Sequence, residues 1–454
     1  MSSGVAGTFG SIGRALRIAA LALLHAPAVA RAGDSQVQAV ESPAELADRI
    51  AADERDAPEW SRAVLLRLGE RDGPGDAELH FGGRFALDFN RWDRRNSNHS
   101  GFDLAALRPL FEADVNGRSQ LRAELDLVGT DSKRHAYDLW VRQEFGRHLA
   151  LQLGQIRVAM GSEYATREEN LPLIGYGFTS YLTGRYDLGA RVTVDPNAAL
   201  HGELVGTLGS GFGLEGEGKD DPLLMARLTV EPLHAIGPQW LRGLYFGAAA
   251  AYQPRFRDEL RVTTPLQSTV FTTGELRADR AAWALVEAGW HCGPFRLGFE
   301  GTRGVLDNVD VAGPGVKDMD ELFAWTACAS VLLSGDSVTW SRGRWGAFRR
   351  APARVRPDED AFTALRVRGV DGPIELAVRY SNADLDRDLF RNGLASYDPS
   401  TQEVRTFSAN VIFHLAPGTR FQVGAVRTIA DHELSTFGGA NRDTSLVARF
   451  EVDF

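Results

Sequence analysis

Apolar and polar residues alternate with a period of two along most of the chain beyond residue 77. Between residues 78 and 90, Leu79, Phe81, Gly83, Phe85, Leu87 and Phe89 share one face, while Glu78, His80, Gly82, Arg84, Asp88 and Asn90 share the other. A helix would mix these sets; a pleated strand separates them. The pattern returns at 121–127, 137–145, 188–195, 295–300 and 374–381. It returns again at the C-terminus, where Leu446, Ala448, Phe450, Val452 and Phe454 oppose Ser445, Val447, Arg449, Glu451 and Asp453. A soluble β-sandwich would alternate too. Two features favour a transmembrane barrel. The polar faces carry charge of both signs, while the opposite faces carry Leu, Val and aromatics. The connections also alternate in length, short at Gly146-Arg147, Pro196-Asn197 and Pro417-Gly418, and long and Gly-rich at 159–186, 209–221 and 383–402. Short periplasmic turns and long external loops mark outer-membrane barrels, and a terminal Phe on the last strand fits a barrel-assembly signal.

The fold class expected is therefore all-β, a transmembrane antiparallel β-barrel of 16 strands over residues 77–454. That allots roughly 24 residues to each strand with its loop, a porin-like width. Seventeen candidate strands can be counted, one too many for an even number. Val370 to Pro373 and Gly293-Pro294 both come out as periplasmic turns, so the surplus strand lies between residues 304 and 360.

Residues 1–32 read as a cleaved signal peptide. Arg14 and Arg17 form the positive region, Ile18 to Leu24 the apolar run, and Ala30-Arg31-Ala32 the cleavage site. Residues 33–76 form an acidic, partly helical periplasmic segment with eleven acids and five Arg. Ser42, Pro43 and Glu45 resemble a capping box, and Trp60, Val64, Leu65 and Leu68 predict a second helical face. The two Cys among 454 residues exclude a disulfide scaffold. Cys292 and Cys328 fall on strands separated by one strand, beyond bridging distance, so two free thiols are expected. A net charge of -10 argues against nucleic acid as a partner.

Several stretches resemble the phosphate-selective porin O and P family of bacterial outer membranes. They are Gly154-Gln155-Ile156-Arg157 with Gly161 and Glu163; Arg227-Leu228-Thr229-Val230-Glu231-Pro232; Gly293-Pro294-Phe295 with Glu300; Leu332-Leu333-Ser334-Gly335-Asp336; and Glu375-Leu376-Ala377-Val378-Arg379-Tyr380-Ser381, continued by Ala383-Asp384-Leu385. The resemblance implies a 16-stranded homotrimeric channel for inorganic or small organic anions, phosphate in the best-known members.

A channel needs fixed charge where its lumen is narrow. Arg suits phosphate because its planar fork donates two parallel hydrogen bonds and stays charged. Candidate anion-binding or pore-lining residues are Arg84, Arg122, Arg142, Arg157, Arg191, Arg296 and Arg379, with Arg449 on the same kind of face. Acids share these faces, among them Glu124, Asp138, Glu144, Glu203, Glu287, Glu300 and Glu375, so pairing within the wall competes with solute binding. Only three Lys are present. The loop 159–186 is a candidate constriction of mixed charge, with Arg167 and Arg185 beside Glu163, Glu168 and Glu169. Arg342, Arg344, Arg349 and Arg350, interleaved with Trp340, Trp345 and Phe348, form a possible anion funnel or a site for lipopolysaccharide phosphates.

Gly211-Phe212-Gly213-Leu214-Glu215-Gly216 matches a dinucleotide-loop pattern, but a strand rather than a helix follows it. Asp307, Asp310, Asp318 and Asp320 are spaced irregularly for Ca²⁺. No catalytic set, metal or cofactor is expected. The expected function is passive diffusion of small anions, phosphate or polyphosphate among them, through the outer membrane, with outer-membrane lipid and lipopolysaccharide as partners. A general or organic-anion porin and an outer-membrane barrel enzyme are the alternatives.

Overall fold

The computed structural model describes residues 63–68, 77–92, 100–128, 136–209, 222–310, 316–333, 337–349, 373–416 and 418–454. The predicted signal peptide and most of the acidic segment lie outside them. In chain order the strands are β1 Ala63–Leu68, β2 Ala77–Arg91, β3 Gly101–Val115, β4 Ser119–Leu125, β5 Ala136–Glu144, β6 Leu149–Val158, β7 Arg185–Asn197, β8 Leu200–Thr207, β9 Leu223–Val230, β10 Gly243–Gln253, β11 Phe256–Thr263, β12 Thr269–Ala278, β13 Arg280–Cys292, β14 Phe295–Asp310, β15 Val316–Leu332, β16 Ser337–Ser341, β17 Arg344–Arg349, β18 Ile374–Asp384, β19 Glu403–Ala416, β20 Thr419–Leu434 and β21 Ala440–Asp453.

Sixteen of these close an antiparallel barrel. Each wall strand pairs with the next from β2 to β10, then through β13, β14, β15 and β18 to β21, which returns to pair with β2. Closure gives each wall strand a hydrogen-bonded neighbour on both sides, as lipid requires. The alternation sorts the side chains as expected. Phe81, Leu153, Leu204, Val286, Phe299, Val378, Phe407 and Leu446 point outward and are exposed, while Arg84, Arg122, Glu287, Glu300, Arg379 and Glu451 point inward and are buried.

The surplus strand falls within the expected interval, and three local readings are corrected. The surplus strand is the hairpin β16–β17, which pairs only with itself and stands off the wall. With it removed, the turn at Gly293-Pro294 and the segment after Leu332 lie at the same end, as strand parity demands. Residues 63–68, expected as a helical face, form a strand. β21 stops where Phe454 bonds to Gly83, leaving the lower edge of β2 open, and β1 continues in line along that edge from Ala63↔Phe81 to Leu68↔Ala77. Tyr137, which the alternation over 137–145 places outward with Leu139 and Val141, turns into the lumen against Arg108 and Tyr186. The β4–β5 register shifts beside it, and a bulge of this kind re-aims one side chain. The strand β7 also runs through Pro196 and Asn197, placing its turn at Ala198-Ala199. Cys292 and Cys328 are free, with β14 between their strands.

The extracellular connections fold over one side of the barrel. Val262, Phe271 and Leu276 of the β11–β12 hairpin join Leu389, Phe390, Leu434 and Phe437 in one apolar core with Phe178 beneath.

Gly154 sits at φ +131° on β6, and a Cβ there would collide with the Leu139 carbonyl oxygen. Gly202 has no atom nearer than 3.7 Å to its would-be Cβ. Gly154→Val should therefore destabilise the barrel by about 1–3 kcal/mol. This is read as a lower temperature for conversion of the compact band to the unfolded band on SDS gels. Gly202→Ala should convert at the wild-type temperature.

Candidate pore constriction

The connection from β6 to β7 does not stay outside. It enters the lumen as a short helix, α1 (Ser162–Ala165), a single 3₁₀ turn at Glu168–Asn170 and a second helix, α2 (Phe178–Thr183). Such short helices are unstable alone; the wall holds these in place.

Glu287 of β13 and Glu300 of β14 lie directly opposite each other, an arrangement that would repel without donors. The loop supplies them. Ser162 N donates to Glu287 at 2.8 Å, Glu163 N donates to Glu300 at 2.6 Å, and Ser162 Oγ donates to the same Glu300 oxygen at 2.8 Å. Arg227 donates to the other oxygen of Glu287 at 2.8 and 3.0 Å. The wall carboxylates thus cap the free N–H groups of α1, which has no side-chain cap of its own. Glu163 reaches back to Arg379 at 2.8 Å and accepts from Gly177 N and Ser180 Oγ, each at 2.8 Å. Arg379 also donates to the carbonyls of Gly175 and Ile174, and Arg420 to those of Glu168 and Leu171. On the far side, Arg84 and Arg108 clasp the Glu168 carboxylate. Burial would raise the Glu168 carboxyl, but Arg108, Arg84 and Arg157 outweigh it and hold the group well below the usual carboxylate range.

The candidate pore-lining arginines all face this interior, and each has a protein partner. Arg84 also bonds Glu451 at 3.1 Å; Arg122 is ringed by Glu112, Glu124 and Asp138; Arg142 meets Glu144 at 3.3 Å. Arg191 meets Glu203 at 3.4 Å, and Arg296 meets Glu375 at 3.9 Å and donates to the Asn170 carbonyl at 3.2 Å. Arg449 is paired with Asp88 at 2.6 Å. Arg157 donates to Tyr186 and to the carbonyls of Tyr164 and Thr166. Arg379 is 1% and Arg122 3% exposed, whereas Arg167, at the loop's edge, has 44% of its side chain exposed.

Of the possible funnel, Arg342 and Arg344 lie at the tip of β16–β17, while the side chains of Arg349 and Arg350 fall outside the described residues. This hairpin tucks into the periplasmic mouth. Trp340 stacks on lumen-facing Tyr245 at 3.8 Å, Arg227 donates to the Gly343 carbonyl at 2.6 Å, and Trp345 N donates to Thr166 of the constriction loop at 3.0 Å. Arg342 is 3.5 Å from Asp195, and Arg296 lies over the Trp345 ring at 4.7 Å. Sequence reasoning missed Arg108, Arg227 and Arg420 as anchors. Arg227 and Arg420 sit on alternating strands and could have been found by phase, but Pro109 and a register shift at Ala86/Leu87 obscure the phase of Arg108.

A family model for the phosphate-selective porin O and P matches residues 79–398. The chain belongs to that porin family. No curated protein sequence matches it. Among solved structures, this porin is similar to OmpT of Vibrio cholerae, with 10% identity over 86% of this chain and 100% of that one and a TM-score of 0.50. It is also similar to the channel DcaP of Acinetobacter baumannii (12% identity, 86% and 100% covered, TM-score 0.49) and to an anion-selective porin from Comamonas acidovorans (10% identity, 83% and 100% covered, TM-score 0.47). Family and fold together make this an outer-membrane porin channel.

A depressed carboxyl stabilises its contacts above the ordinary glutamate pKa of about 4.3 and loses that contribution only as pH falls through the lower, folded value. The clasp on Glu168 should therefore hold the loop throughout the range from neutral pH down to about pH 4. Single-channel current noise should stay flat over that interval in the wild type. Glu168→Gln should be noisier and more conductive at every pH; a variant as quiet as wild type would show that the clasp is dispensable.

Proposed function

We propose that this porin is a weakly selective diffusion channel for small hydrophilic solutes, anions included, without a dedicated phosphate site. The observation that carries the reading is the engagement of the buried guanidinium groups. A phosphate site needs arginine forks free to donate to the solute, and here those of Arg84, Arg122, Arg296 and Arg379 are committed to carboxylates and loop carbonyls. Their role in this reading is to set the position of the constriction. Charge at its edge is mixed, since Arg167 lies 3.7 Å from Glu169 and 4.0 Å from Glu112. Such an eyelet biases flow mildly, because opposite charges close together largely cancel beyond a Debye length of about 8 Å.

The mature chain is proposed to begin after residue 32 and to work as a homotrimer. The signal-like N-terminus supports the first point and the family resemblance the second. The phosphate-selective alternative rests on the family description. Planar-bilayer recordings separate the two readings. Chloride current should be unchanged by phosphate or pyrophosphate at concentrations up to tens of millimolar, and the reversal potential in a KCl gradient should stay small. Saturable block of chloride current by phosphate would overturn the proposal.

A further inference from the structure

The lipid-facing side of the wall carries a second arginine group, unrelated to the pore. Moving toward the extracellular end, the outer face of β20 runs Phe421, Val423, Ala425 and then Arg427; that of β19 runs Phe413, Val411, Ala409, Phe407 and then Arg405. On β21, Phe450, Ala448 and Leu446 give way to Thr444 and Arg442, and on β2, Phe85, Leu87 and Phe89 give way to Arg91. All four arginines are exposed. The register gathers them. Ile429 opposes both Arg405 and Arg442, Arg427 opposes Phe407 and Thr444, and Arg91 opposes Leu446. Arg427 is therefore the diagonal neighbour of both Arg405 and Arg442, at about 7–8 Å, and Arg405 and Arg442 are about 10 Å apart across two strands.

Arg405 meets Glu403 at 2.6 Å. Among the described residues, Arg91, Arg427 and Arg442 have no ion-pair partner. The unpaired guanidinium groups of Arg427 and Arg442 repel one another at this distance, and more so beside hydrocarbon than in water. A dianion between them would reverse that repulsion. Directly below stand Phe407 and Leu446, 49% and 51% exposed, and Phe89 and Phe102, 43% and 77% exposed, a surface suited to acyl chains. Charge at the upper edge of an apolar band matches one kind of ligand, a lipid whose head group bears phosphate.

We propose that Arg427 and Arg442, with Arg405 and Arg91 at the flanks, bind the phosphate of a phosphorylated glycolipid in the outer leaflet, its acyl chains lying on the aromatic residues beneath. The arginine forks take the phosphate oxygens in pairs, a geometry that Lys cannot reproduce.

Native mass spectrometry of the full-length porin in detergent tests this, with bisphosphorylated lipid A and its dephosphorylated counterpart as probes. The wild type should retain the bisphosphorylated lipid. R427Q/R442Q should bind it about tenfold more weakly, R427K/R442K should recover part of the loss, and millimolar inorganic phosphate should not displace it. The double variant should keep the wild-type conductance and heat-modifiable gel band, since neither residue touches the pore. Equal retention by wild type and R427Q/R442Q would overturn the proposal, as would equal binding of the dephosphorylated lipid. Loss of the oligomer with lipid retention unchanged would also overturn it and assign this face to a second copy of the chain.

Discussion

Lipid offers no hydrogen bonds, and this constraint governs the molecule. A strand crossing the bilayer must bond to a neighbour on each side, so the sheet has to close, and closure at sixteen strands leaves a lumen too wide for side chains alone to fill. What fills it is backbone. The β6–β7 loop enters from outside and the β16–β17 hairpin enters at the periplasmic end, and the two meet where Trp345 N donates to Thr166. Even the seam follows the same rule. The edge of β2 left open below the C-terminus is taken up by β1, which extends the line of β21.

Irregular backbone inside a barrel brings its own polar groups, and the charged wall exists largely to satisfy them. Arg379, Arg420 and Arg296 spend donors on loop carbonyls, while Glu287 and Glu300 accept from loop N–H groups. Each such charge would be costly to bury alone, and removing one partner of a buried pair costs about 3–5 kcal/mol. The loop and the wall are therefore interdependent: each is the other's counter-charge. A lumen rich in arginine is here a scaffold for the constriction before it is a surface for solute.

Much of this was legible in the sequence. Period-two alternation gave the strands and their faces, because lipid on one side and water on the other enforce it on β2, β14, β18 and β21 alike. The long β6–β7 connection with its mixed charges marked the constriction. Two kinds of information were missing. Strand phase fails at bulges, which hid Arg108 and turned Tyr137 inward. Pairing between distant segments, such as Glu163 with Arg379 or Glu168 with Arg84, leaves no local trace, so the arginines could be placed on the inner face but their partners could not be named. The segment 63–68 read as a helical face because its apolar spacing suits either period, and only the open edge of β2 decides for a strand.

The central claim is that the pinned loop, rather than the barrel wall, sets the width of the water path. Replacing residues 163–182 with a short glycine-serine turn and recording single channels tests it most directly. The account predicts a several-fold rise in conductance in a barrel that still forms its compact band on gels. A shortened channel that conducts like the wild type would contradict it, because solute would then be passing by a route that the loop does not narrow.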